Sequence, residues 1–181
     1  MKKMQMMRAL LIALAAVTMM FGTARAGWDP ADELSAERTI GKFRQSDPSL
    51  ERFFSRAYGY AVFSDIYKGG FMIIGGGHGE GVVYERGMAV GTSKVTLLNV
   101  GPQLGGQSIS EIIFFKDQAA LDNFKQGNFE LSAQFGVVIV AAGMATNTDY
   151  SDGVAVFAMP NGGLMGELTI GGQKFNFEPG R

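Results

Sequence analysis

Gly75, Gly77, Gly79 and Gly81 recur at every second position within GGFMIIGGGHGEGVVYERG, residues 69–87. Side chains of an extended chain alternate between two faces, so a strand built here has one face with no side chains. A second backbone can approach such a face closely, or the strand can bend sharply there, and glycine kinks of this kind curve a sheet toward closure. A phosphate-binding loop is excluded by spacing. Gly75 and Gly77 are followed at position 80 by Glu80, not glycine, and neither GxxxxGKS nor GxxxxGKT occurs in the chain. The four glycines therefore read as structural, as part of a curved wall.

The surrounding pattern agrees with a sheet. From Gly59 onward the chain is a series of short runs rich in Val, Ile and Phe broken by glycine: YAVFS, FMII, GVVY, KVTLLNV, EIIFF, FGVVIVAA, VAVFAM, LMGELTI and KFNF. These predict strands. Asp152-Gly153 and Asn161-Gly162 predict tight hairpin turns and hence antiparallel neighbours. Upstream, Asp29-Pro30 and Asp47-Pro48 each join a capping carboxylate to a proline at the first helical position. The first helix places Ala36, Ile40 and Phe43 on one face. In the second, Leu50, Phe53, Phe54, Ala57 and Tyr58 form a broad apolar stripe, which docks on the sheet. One more helix begins at Asp117, puts Leu121 and Phe124 on one face and stops at Gly127. The expected fold is α+β: a curved antiparallel sheet or barrel-like core over 59–177, flanked by N-terminal helices over 29–57 and interrupted by one inserted helix. The triplet GGQ occurs twice, at Gly105–Gln107 and at Gly171–Gln173, which is too short to establish a repeat.

Residues 1–26 have the form of a secretory signal peptide: Lys2, Lys3 and Arg8, then an apolar run from Ala9 to Phe21, then Ala24-Arg25-Ala26 as the cleavage signal. The expectation is cleavage near Ala26 and a periplasmic or secreted chain, residues 27–181, forming one domain. Removal of the leader takes four of the 16 basic residues and none of the 17 acidic ones, so the remainder is acidic. An acidic surface excludes a general nucleic-acid binder. The chain has no cysteine, which excludes a disulfide framework, a thiol nucleophile and the lipid-attachment site of a bacterial lipoprotein.

Catalytic constellations are sparse. His78, the single histidine, and Glu80 stand two residues apart on one face of an extended strand, the spacing of an acid–base pair. They lack a partnered nucleophile: there is no GxSxG elbow, no SxxK pair and no second histidine for a metal. Asn147–Gly153 hints at a calcium loop but has Asp152 where glycine is required and Ala158 where the closing glutamate belongs. No metal, catalytic group or cofactor is expected. Lys68, in a turn between two apolar runs, and Arg52 and Arg56, beside the apolar stripe, are the candidate contacts for a lipid phosphate.

Four blocks together carry a family resemblance: DPSLERFFSRAYGYAVFSDIYKGGFMIIGGGHGEGVVYERG, GPQLGGQSISEIIFF, KDQAALDNFKQG and GLMGELTIGGQKF. In that order, over about residues 47–177, the chain resembles the SYLF-domain family of lipid-binding proteins in its secreted bacterial branch. The resemblance implies a barrel-like sheet flanked by helices and binding of phospholipid or a membrane surface without catalysis. Lys68-Gly69-Gly70-Phe71 is similar to the family's KAGF-like turn, whereas the family's GGEYGEG reads GGGHGEG here, with Gly77 and His78 replacing Glu and Tyr. Tyr58 stands where the family commonly has lysine. Phosphoinositides and actin, associated with eukaryotic members through a basic N-terminal helix, are not implied, because the segment before Asp47 mixes Asp32, Glu33 and Glu37 with Arg38, Lys42 and Arg44. The function expected is that of a non-enzymatic periplasmic lipid-binding or membrane-surface domain. The alternatives are a small outer-membrane β-barrel or structural envelope protein, and an envelope hydrolase using His78 and Glu80.

Overall fold

The computed structural model describes residues 29–127, 129–132, 136–163 and 172–180, so the expected signal peptide and the run LMGELTI lie outside the described residues. Helix α1 (Pro30–Ser46), a 3-10 turn (Pro48–Leu50) and helix α2 (Glu51–Arg56) come first. Strands β1 (Gly59–Glu85) and β2 (Met88–Phe115) precede helix α3 (Gln118–Lys125), β3 (Phe129–Leu131) and β4 (Val137–Ile139). A second 3-10 turn (Met144–Asn147), β5 (Val154–Gly163), β6 (Gly172–Phe175) and β7 (Glu178–Pro179) complete the order. The fold is α+β, with helices packed on a strongly curled sheet of seven strands among the described residues.

Five of the short runs expected as separate strands are merged into two long ones. YAVFS, FMII and GVVY all lie in β1, and KVTLLNV and EIIFF in β2. Glycine did not end these strands because the two glycine-rich stretches pair with each other: Gly69 faces Gly106 and Gly70 faces Gly105, and Lys68 faces Gln107. β1 and β2 thus form one antiparallel ribbon, closed by a tight turn in which Arg86 and Gly87 have φ of 50° and 80°. Positive φ at both central residues matches the right-handed twist of the flanking strands.

The ribbon is folded across its own middle. Its register slips between Phe63 and Ile66, between Met72 and Ile74, and between Val83 and Tyr84. The limb carrying the alternating glycines lies against the limb of residues 62–68. A Cβ placed on Gly77 would stand 2.5 Å from the Tyr67 carbonyl oxygen, one on Gly79 2.7 Å from that of Asp65, and one on Gly81 2.6 Å from that of Val62. Real Cβ atoms do not come this close to a carbonyl oxygen, so the bare face is what allows the two limbs to meet.

The other strands extend this folded ribbon. β5 pairs with residues 107–115 of β2, on the first limb, whereas β6 pairs with residues 95–98, on the second. β3 adds to β6, and β7 pairs with residues 91 and 92. β4 runs parallel to β5, so the sheet is mixed rather than wholly antiparallel. The Asp152-Gly153 turn, bridged by Ser151 and Val154, reverses the chain immediately before β5 without joining two long strands. Asn161-Gly162 is not a hairpin turn. It lies within β5, where Gly162 has φ of 148° and the Asn161 side chain is tied to the neighbouring strands.

Alternation along the strands creates two cores. Ile109, Ile113 and Phe115 point into the curl with Phe63, Phe124 and Phe175, while Ile112 and Phe114 point outward with Val62 and Phe157. The outer face is covered by Ala36, Ile40 and Phe43 of α1 together with Leu50 and Phe53. Each fully buried phenylalanine or isoleucine contributes about 1.5–3 kcal/mol relative to an exposed one. Helix α3 begins as its sequence indicates, with the Asp117 carboxylate accepting from Ala120 N at 3.0 Å, and ends at Gly127, φ 77°. Its Lys125 contacts Glu85, whose carboxylate also accepts from Tyr58 Oη at 3.0 Å, and these bonds hold Glu85 below the usual carboxylate range.

Candidate functional site

A cleft of about 380 Å³ opens where α1 meets both limbs of the folded ribbon. Asp32 and Ser35 line it from α1, Ser64, Asp65 and Tyr67 from the first limb of β1, and His78 and Glu80 from the second. The cleft exists because the glycine face brings the limbs together: Gly79 and Gly81 form part of its floor. His78 and Glu80 lie in β1 and both are exposed. The imidazole lies beside Tyr67, with ring centroids 6.4 Å apart, and Glu80 pairs with Lys94 at 3.7 Å.

The lining carries three carboxylates and no lysine or arginine. Burial pushes the Asp32 carboxyl above its ordinary range, and the neighbouring Asp29 and Glu80 carboxylates push it further. This field repels a phosphate. Within the cleft Ser64 Oγ accepts from Thr39 Oγ1 at 3.1 Å.

The cleft's inner edge is built by a polar knot at the first register slip of β1. Asp65 Oδ1 accepts from Ser108 Oγ at 2.9 Å and from Asn161 Nδ2 at 3.0 Å. The Ser64 carbonyl accepts from Asn161 Nδ2 at 2.9 Å, and Ser110 Oγ lies 2.7 Å from that carbonyl and 2.8 Å from Asn161 Oδ1. Two polar residues in the middle of an apolar run, Ser64-Asp65, were the sequence signal for this bulge. Nothing local pointed to Asn161, 96 residues away from Asp65.

The three basic candidates are not brought together. Lys68 lies inside β1 and not in a turn, because KGG pairs with GGQ and the strand runs through it. It is 4 % exposed, on the inward face two residues after Ile66, and burial pushes its amine below the ordinary lysine range. Arg52 and Arg56 stand on α2, which packs on the opposite, outer face of the sheet. The Arg52 guanidinium lies over the Phe53 ring, 4.7 Å from its centroid, while Arg56 is exposed.

The end of the molecule at which the ribbon folds has a different character. Backbone pairing continues through the fold, from Phe71 opposite Leu104 to Ile74 opposite Val100. Tyr67 on one limb and Leu98 on the other flank it, and they are 58 % and 63 % exposed. Both point away from the packed interior, since their neighbours Lys68 and Leu97 are buried.

Comparison with known proteins gives a distant relative. Beta cell expansion factor A of Aeromonas veronii is 28 % identical over 141 residues, which is 77 % of this chain and 53 % of that protein. The chain thus spans about half the length of the curated relative it matches. No family model matches the chain.

Proposed function

We propose that this chain is a non-enzymatic lipid-binding module of the SYLF type, acting at a membrane surface of the cell envelope after export. The observation that carries the reading is the exposed Tyr67 and Leu98 pair flanking the fold of the β1–β2 ribbon. An amphipathic tyrosine and a leucine, both exposed beside the fold of the ribbon, suit the boundary between head groups and acyl chains. The interior of the curl is filled by phenylalanine, isoleucine and leucine side chains, so contact is made at this tip and not by swallowing a lipid whole. Export rests on residues 1–26 of the sequence.

The rival readings have less support. A transmembrane barrel would present its outer face to lipid, whereas here that face is covered by α1 and α2 and the inside is apolar. A hydrolase would need His78 to meet a nucleophile.

Apolar contact contributes roughly 25 cal/mol per Å² buried and is not screened by salt, so binding is expected to survive high ionic strength. Co-sedimentation with neutral and with anionic phospholipid vesicles, at low and high salt, is the test. The double variant Tyr67→Ser, Leu98→Ser is expected to lose at least about tenfold in affinity. Arg52→Glu with Arg56→Glu is expected to change it by less than about threefold. Binding that demands anionic lipid and vanishes at high salt would replace this mode with a basic surface; no binding under any condition would defeat the function.

A further inference from the structure

Inside the curl, the apolar core is interrupted by Glu111, fully buried on β2. It lies on the first limb, opposite Phe63 of β1 and Ala158 of β5. Its Oε2 accepts from Nε2 of Gln173 at 2.8 Å, and Gln173, itself 2 % exposed, belongs to β6 opposite Leu97 on the second limb. The hydrogen bond therefore spans the interior and ties one limb of the curl to the other. Two oxygens at this contact are left without partners: Oε1 of Glu111 and Oε1 of Gln173. Both are acceptors when the acid is ionised, so the contact lacks one hydrogen.

We propose that Glu111 is carried as the neutral acid and that its pair with Gln173 is a proton-operated latch across the interior of the curl. A proton on Glu111 Oε1 supplies the missing donor, and its O–H can pair with the Gln173 carbonyl while the Gln173 N–H pairs with the acid's other oxygen. Loss of that proton leaves a carboxylate and an amide carbonyl facing each other in apolar surroundings with one N–H between them, an arrangement that is costly to keep buried. The limb bearing β6 is then released and water reaches the acid.

The surroundings favour the neutral form. Residues facing inward around Glu111 are apolar on every packed element: Phe63 on β1, Ile109 and Ile113 on β2, Val156 on β5 and Phe175 on β6. Further along this inward face stand Gln107, four residues from Glu111 on β2, with Lys68 opposite it; Ser93 is buried beyond Val95, and the Glu85–Lys125 pair lies where α3 packs on the same cluster. Burial pushes the Glu111 carboxyl up to about 7, and the Gln173 bond lowers it only in part. A carboxyl raised in the closed state contributes stability that is complete below its ordinary value, near 4.5, and is lost as pH rises to about 7. The latch would thus open in the neutral range.

Hydrogen exchange of β6 amides, corrected for the intrinsic effect of pH, reads the latch. In the wild type the open population is expected to rise about tenfold per pH unit between about 5 and 7 and then to level off. Glu111→Gln places an amide opposite the amide, mimics the neutral acid and is expected to remove that rise. A carbon NMR titration of glutamate-labelled wild type keeps the test on the unmodified chain, with a Glu111 carboxyl titrating near neutrality expected. A wild-type pH profile identical to that of Glu111→Gln, or a Glu111 carboxyl already ionised in the folded protein at pH 5, would overturn the proposal.

Discussion

Gly79→Val and Gly81→Val are expected to unfold the protein or to lower its stability by more than about 3 kcal/mol each, whereas His78→Ala, at the exposed position just before Gly79, changes it by less than about 0.5 kcal/mol. The difference comes from what each side chain meets. A Cβ on Gly79 would meet the Asp65 carbonyl at 2.7 Å and the Ile66 side chain at 2.9 Å. One on Gly81 would meet the Val62 carbonyl at 2.6 Å and the Phe63 ring at 2.6 Å. Backbone carbonyls held in the β1–β2 ladder cannot step aside as a flexible side chain can, so relief requires the two limbs to part. Parting them exposes Phe63 and its neighbours inside the curl. Chemical denaturation of the three variants measures the effect, and equal stability would show that the limbs do not depend on the bare face.

A second large effect is expected at Asp47. Its carboxylate accepts from Ser49 N at 3.0 Å and Ser49 Oγ at 2.6 Å, as the cap of the 3-10 turn before α2. It also accepts from Gly143 N at 3.1 Å and Ala145 N at 2.8 Å, at the start of the second 3-10 turn. One buried side chain thus pins the segment leading to β5 onto the junction between the two N-terminal helices. Asp47→Ala leaves backbone N–H groups buried without acceptors, at about 1–3 kcal/mol apiece. The expected loss is about 3 kcal/mol, or ~6–12 °C in melting temperature for a domain of this size. Burial raises the Asp47 pKa, but the four hydrogen bonds outweigh it and hold the carboxyl below its ordinary value. Its contribution is therefore complete above the ordinary aspartate value, near 4, and is lost as pH falls through the lower folded value. Melting temperatures followed into acid should show this loss in the wild type and not in Asp47→Ala.

These two positions also show what can be read from sequence. The bare face of 75–81 was legible because its cause is local: the period of a strand places four glycines on one side. The helix starts at Asp29, Asp47 and Asp117 were legible for the same reason, since a cap acts within three residues. What the caps do at a distance was not. Asp47 reaches Ala145, 98 residues on, and no period or dipeptide signals that bond. Lys68 was expected in a turn because KGG looks like punctuation; its true partner is GGQ on β2, and two glycine-rich segments facing each other continue a ladder that either alone would break.

The cleft and the latch follow the same division. Tyr67, His78 and Glu80 alternate on recognisable strand positions, but their meeting with Asp32 depends on the ribbon folding across its middle. Glu111 was visible as an acid at the head of EIIFF, in register with Ile109 and Ile113. Its partner Gln173 is 62 residues further on and becomes a neighbour only when β6 joins the second limb. The two GGQ triplets did not make a repeat, yet each glutamine points its carbonyl oxygen into buried space.

The central claim is that this chain binds lipid at the tip of its folded ribbon and leaves it unchanged. Native mass spectrometry of the purified protein after incubation with phospholipid vesicles, with extraction and analysis of the bound lipid, tests it most directly. The account predicts intact phospholipid retained by the wild type and lost from the Tyr67→Ser, Leu98→Ser variant. Protein that emerges free of lipid, or accompanied by cleaved lipid whose formation stops in His78→Ala, would contradict it.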